Sequence, residues 1–237
     1  MPCWEGDPPL IFRKVASRAT HGYTLRSFSL GEHSGTHVNA PCSFVPDGAP
    51  LEQAFAWPLW APLVIIDIAA RAATDPATTC TVDDVLAFEA EHGTIPAGSF
   101  VACVSGWHAL WHEPACFMGQ QADGTTAFPS WHPEAVALLC GGATPAAGRG
   151  AGALLPGPLH NQPGRGVWGM GIDTHGMDHP ADATFACNRL ALGLGAVVVE
   201  CLGDLSDVPA TGAWICVAPL PLHGGTGAPC MVTVFVG

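Results

Sequence analysis

Seven short apolar runs, rich in Val and Ile, recur along the chain at residues 25–30, 63–69, 100–104, 167–172, 196–201, 214–218 and 231–236. Runs of that length, set off by Gly, Pro and Asp, read as buried strands. Between them, three segments carry helical signals. Thr81-Val-Asp-Asp opens as a capping box and leads into Val82, Val85, Leu86 and Ala90 on one face. Ser130-Trp-His-Pro-Glu runs into a helix over 135–139, with Pro133 suited to the first turn. Asp182 can cap a helix that carries Phe185, Arg189 and Leu192 and closes at Gly193 or Gly195. Strands outnumber helices and the two are interspersed, which predicts a mixed α/β fold built on one core. We expect a single domain over residues 1–237, with a Gly/Ala/Pro-rich surface insertion at about 141–158 whose only charge is Arg149.

Composition narrows the function. Of 237 residues, 49% are hydrophobic and 12% charged, too apolar a balance for a disordered chain. Eight Lys and Arg stand against 20 Asp and Glu, a net charge of −12. So few cations cannot neutralise many phosphates, so neither nucleic acid nor an anionic membrane is expected as a partner. The apolar stretch at 54–66 is interrupted by Pro58 and Pro62 and is no membrane span. The start lacks the basic and apolar regions of a secretion signal. Ten scattered Cys without a C-x-x-C pair suit free thiols, so the expected location is cytoplasmic. The 11 His outnumber Lys and Arg together, and His is the commonest metal ligand and the acid–base residue of neutral pH.

The densest chemistry lies in Gly-Glu-His-Ser-Gly-Thr-His-Val-Asn-Ala-Pro-Cys-Ser-Phe, residues 31–44. If this segment is extended, His33, Gly35, His37 and Asn39 share a face. Two imidazoles and a side-chain oxygen then make a three-ligand set with an open position, as in catalytic zinc sites. By spacing alone, two His four apart suit unrelated surface or core residues equally well.

The segment resembles the H-x-G-T-H-x-D-x-P-x-H signature of the cyclase family of metal-dependent hydrolases, which includes bacterial kynurenine formamidases and isatin hydrolases. Other stretches are similar to family motifs in the same order: Trp4-Glu-Gly-Asp-Pro, Ser105-Gly-Trp107, Gly171-Ile-Asp-Thr174, Val199-Glu-Cys-Leu-Gly-Asp-Leu205, and Pro219-Leu-Pro-Leu222 with Gly224 and Gly227. The resemblance implies a swivelling β/β/α architecture, a divalent metal (zinc or manganese), hydrolysis of an amide or lactam-like bond in a small molecule, and a homodimer or larger homo-oligomer. It also exposes three departures. Asn39 stands where the family has a metal-binding Asp, Ser43 where it has the last His, and Asn188 where a second-metal His is usual.

A neutral amide is a poor bridge between two cations, so the reading is one metal, on His33, His37 and Asn39. Glu200 is the expected proton shuttle or orienter, its pKa raised by burial. Its competing role is a structural acid paired with a backbone N–H or Arg189. Asn188 and Ser43 are candidates to hydrogen-bond substrate or water, against simple degeneration of the site. Trp4 and Trp107 are candidates to wall an aromatic pocket, against plain core packing, with the Cys42 thiol lining it. His108 and His112 read as solvated loop residues. One of His175 and His179 could replace a missing ligand if their turn faces inward. Asp173 reads as a carboxylate orienting a ligating His. The expected activity is arylformamidase-like cleavage of a small carbonyl compound. Its rivals are a non-hydrolytic cyclase or dehydratase, and a relative that binds without turnover.

Overall fold

The computed structural model describes residues 2–4, 6–141 and 164–237, so all but the first position of the insertion expected at 141–158 lies outside the described residues. Among the described residues, eleven strands run in chain order as β1 Ile11–Ala16, β2 Leu25–Ser29, β3 His37–Asn39, β4 Leu59–Asp67, β5 Thr79–Cys80, β6 Phe100–Val104, β7 Ser130–Trp131, β8 Gly169–Ile172, β9 Val197–Glu200, β10 Ala213–Pro219 and β11 Gly227–Phe235. Seven of them close a barrel in the order β10-β11-β3-β9-β8-β6-β4. One half, β4-β6-β8-β9, is parallel; the neighbours β3, β11 and β10 pair antiparallel.

Alternation along each strand sorts side chains to two cores. Val38, Leu63, Phe100, Val197, Val199 and Ile215 fill the barrel. On the outer face Val64, Ile66, Val101, Met170 and Val198 pack with residues of the helices Val82–His92, Pro133–Cys140 and Ala186–Gly193. The expected capping box is formed: Thr81 Oγ1 accepts from Asp84 N–H, and Asp84 Oδ2 accepts from Thr81 N–H at 2.7 Å.

Two expectations change. The run at 25–30 is not a buried strand: β2 pairs only with β1, in a hairpin whose residues are exposed except Ala16. β1 carries Arg13 and Lys14 among its apolar residues, which hid it from a search for buried strands. The third helix begins at Ala186 and is anchored by two carboxylates. Asp182 Oδ2 accepts from Ala186 N–H at 3.0 Å, and Asp178 Oδ1 accepts from Cys187 N–H.

Candidate active site

β3 and β9 pair so that His37 lies opposite Glu200. With Val38 turned into the barrel, His37 and Asn39 must face outward, toward the helix Ala186–Gly193. Only residues 37–39 are strand; His33 arrives through a turn, not by alternation along an extended segment. Gly35 makes that turn at φ 67, and its carbonyl accepts a 2.8 Å hydrogen bond from His37 Nδ1. Gly227 makes room for the other imidazole: a Cβ there would lie 2.6 Å from His33 Cε1. Gly227 of the closing motif is therefore a packing requirement of His33.

From His33 a chain of hydrogen bonds crosses the site. His33 Nδ1 meets Asn39 Oδ1 at 2.8 Å, Asn39 Nδ2 donates to Asn188 Oδ1 at 2.9 Å, and Asn188 Nδ2 donates to Glu200 Oε1 at 3.0 Å and to Asp178 Oδ2 at 2.8 Å. The two carboxylates fix its direction. Each can only accept, so Asn188 must turn its NH₂ toward them and its oxygen toward Asn39. Asn39 must then donate to that oxygen, leaving its own Oδ1 to accept from His33. Asn39, Asn188, His37, Glu200 and Asp178 are all buried.

Glu200 also accepts from Met177 N–H at 2.9 Å and faces His37 Nε2 at 3.2 Å. Burial alone would raise its pKa, but His37, Asn188 and the Met177 amide together hold the carboxyl down at about 2. This corrects the expected raised value: Glu200 is a carboxylate at neutral pH. Its partner is His37 and not Arg189, which donates to Phe44 O. Burial pushes the Asp178 carboxyl up, against its bonds to Asn188 and Cys187. Burial, with His37 close by, lowers the pKa of His33.

The aromatic wall is Trp4, stacked on His175 at 5.0 Å and set edge-on to Phe128 at 6.4 Å. His175 lies within electrostatic reach of Glu200, His37 and His33, and burial pushes its pKa down to about 4. The inward turn considered for this His is the one observed. His179 instead accepts from Ala181 N–H in a local turn. Trp107 packs beside Phe117, Met118 and Cys201, its indole N–H on Phe117 O, so it joins a small core and not the wall. Cys42 Sγ donates to Gly225 O at 3.6 Å, and burial raises its pKa. Ser43 is exposed, with no side-chain hydrogen bond among the described residues, so the structure does not bring it into the network.

Two further expectations are corrected. Asp173 does not orient a ligating His: it accepts from Ser105 Oγ at 2.6 Å and Ser105 N–H at 3.0 Å, and it faces His108. His108 is no solvated loop residue, since its Nε2 also meets Asp204 Oδ1 at 3.2 Å. Sequence reasoning missed Asp178 as well as Thr226, which contacts His33 Nε2 and donates to Glu32. Thr226 lies 193 positions from His33, so nothing local links them. Asp178 had a signal, its place just ahead of the helix that carries Asn188.

The model of the family described as putative cyclase matches residues 1–149. The chain belongs to the cyclase family. Isatin hydrolase of Roseibium aggregatum is 31% identical over 240 residues, which cover 98% of this chain and 83% of the relative. Isatin hydrolase A of Labrenzia aggregata, solved bound to benzyl benzoate, superposes with a TM-score of 0.78 at 27% identity, over 96% of this chain and 83% of that one. A structure described as a potential metal-dependent hydrolase with cyclase activity shares the fold at 21% identity and a TM-score of 0.65, over 98% and 90%. These likenesses support a hydrolase of the cyclase family.

A metal can be tested against the donors present. His37 commits its Nδ1–H to Gly35 O, so its Nε2 lone pair faces the carboxylate of Glu200. Two acceptors 3.2 Å apart require a cation, either a proton or a metal ion; that gap is within the span of a nitrogen and an oxygen ligand of one ion. Among the described residues, no three His, Cys, Asp or Glu group as a set able to hold an ion by themselves. One ion would therefore need the Asn39 amide oxygen as well, with His33 giving up the proton it shares with it, and among the described residues a two-metal centre has no donor set.

Proposed function

We propose that this chain hydrolyses the C–N bond of a small aryl-bearing carbonyl compound, a lactam first and an aryl formamide second, with one zinc or manganese ion on His33, His37 and Asn39. The observation that carries the reading is the buried His37–Glu200 pair at the foot of an aromatic wall, in a chain alike over 98% of its length to an isatin hydrolase. Such an ion supplies Lewis acidity and an acidified water. The chain's own residues do the rest. The Trp4 ring offers a face for the aryl group, and the barrel wall behind β3 keeps bulk water away from the reacting carbonyl. Glu200, an acceptor at neutral pH, orients the attacking water, and Asn188 holds that carboxylate in place.

The test is elemental analysis of protein purified without a His tag, beside assays of isatin and N-formylated arylamines. We expect about one equivalent of zinc or manganese, lost in His37→Ala, and ring opening of isatin. Two equivalents, or turnover of neither compound class, would overturn the reading. The saturated Asn39–Asn188 network favours one alternative, a relative that binds such ligands without turning them over. Tight binding of isatin without product would establish it. We also propose a homo-oligomer. Phe12, Leu25 and Phe28 of the hairpin are exposed, and light scattering at the monomer mass would dismiss that assembly. Among the described residues no helix is long and apolar enough to cross a membrane.

A further inference from the structure

Three imidazoles meet at the site, and they differ in what their nitrogens do. His33 donates to Asn39 from Nδ1, and its Nε2 is covered at 3.2 Å by the Thr226 oxygen, whose own proton goes to Glu32. His37 is likewise engaged by Gly35 O and Glu200. His175 has no hydrogen-bond partner among the described residues. Its ring is held instead by stacking on Trp4, interplanar angle 25°, which fixes the plane and leaves both nitrogens at the ring edge open. The turn behind it is rigid. Thr174 Oγ1 donates to Gly176 O at 2.9 Å, and the next amide, Met177 N–H, is bound to Glu200. This imidazole is half-buried, within electrostatic reach of Glu200 and against the surface proposed for the aryl group.

We propose that His175 is a catalytic residue of this chain, the proton carrier between the attacking water and the leaving nitrogen. The inference rests on the hydrolytic reading above and adds a role to it. As water attacks the carbonyl carbon, an open nitrogen of His175 takes one of its protons. When the C–N bond breaks, its electron pair stays on nitrogen, and His175 returns the proton there. The products are a carboxylic acid, which ionises, and an amine. Between the two steps the imidazolium lies within electrostatic reach of Glu200. His33 and His37 cannot do this without giving up bonds that hold the site.

Two measurements test it. Diethyl pyrocarbonate acylates a free, unprotonated imidazole, and peptide mass mapping reads which His is labelled first. We expect His175 ahead of His33 and His37, with protection by isatin. In kinetics, His175→Gln is expected to lower kcat on isatin about 100-fold or more, with KM and metal content unchanged. Added imidazole should restore turnover to His175→Ala, which a merely structural role would not allow. His179→Ala, in the neighbouring turn, serves as the control at wild-type rate. Labelling of His33 or His37 with His175 inert, a His175→Gln rate near wild type, or loss of metal from that variant would overturn the proposal. If wild type opens no amide probe, the hydrolytic reading fails and takes the proton-transfer role with it, while the labelling still reports whether this imidazole is free.

Discussion

Two imidazole–carboxylate clusters stand on adjoining strands of the barrel, and they are built on opposite principles. At the end of β9, His37 meets one carboxylate, Glu200, and both are almost wholly buried. Beyond β8, His108 meets two, Asp173 and Asp204, with Asp204 63% exposed. In the first cluster, the other proton of His37 goes to Gly35 O, and the other oxygen of Glu200 accepts from the neutral amide of Asn188 and from the Met177 N–H. In the second, one carboxylate faces solvent. Charge taken out of water must be met by fixed dipoles, whereas charge at the surface is screened. The buried cluster is therefore a site that a single substitution unbalances. The outer one is a tie between two loops.

The comparison breaks most sharply at Glu200. Glu200→Ala leaves His37 Nε2 and the Met177 N–H without their partner and Asn188 with Asp178 alone, with an expected loss of about 3–5 kcal/mol in urea unfolding, together with loss of activity. A loss below 1 kcal/mol would mean that water reaches the pair. Next comes Asn39→Asp. A carboxylate there can only accept, so its second oxygen would face the oxygen of Asn188, and the directional chain reverses nowhere without setting like atoms together. In the presence of EDTA we expect a cost of about 1–3 kcal/mol, recovered on adding zinc or manganese. A variant as stable as wild type without metal would show that the chain is not directional.

The two clusters should also respond oppositely to pH. Glu200 is depressed to about 2 from an ordinary 4.5, so its contribution is present above the ordinary value and is lost as pH falls through that window. His108 is raised above 6.5, first by its bond to Asp173, so its contribution is full below 6.5 and fades as pH rises through its folded value. Denaturation followed from pH 2 to 9 should show both arms, and His108→Ala should remove only the alkaline one. Smallest is the static effect of His108→Ala at neutral pH, about 1 kcal/mol or less because the tie is partly exposed. A larger cost would mark the two loops as essential to the barrel.

Particular residues show how much was legible beforehand. The cores of β6 and β9 could be read from their runs of Val and that of β8 from Met170 and Ile172, because strands buried on both faces need no polar residue. The Thr81 box is local chemistry and formed as read. His37, Asn39 and Glu200 could be placed in one site from motifs whose order along the chain matched a family. The hairpin strand β1 was hidden, because it meets no core and so carries no burial pattern. Ser43 and Trp107 matched positions in motifs, yet one stands exposed and the other is packed in a separate small core. The state of Glu200 was misread: burial, which sequence suggests, opposes the partners that only the fold supplies.

By itself, then, the sequence determined the alternation of strands and helices, the scarcity of cations and the three neutral side chains in place of ligands, because each follows from residue type and neighbours along the chain. The tertiary structure alone decided that Thr226 reaches His33 from 193 positions away, that Asp178 orients Asn188, and that His175 stacks on Trp4 within electrostatic reach of Glu200. Those facts depend on the direction in which donors and acceptors meet. Direction is set where the barrel closes and brings distant strands together.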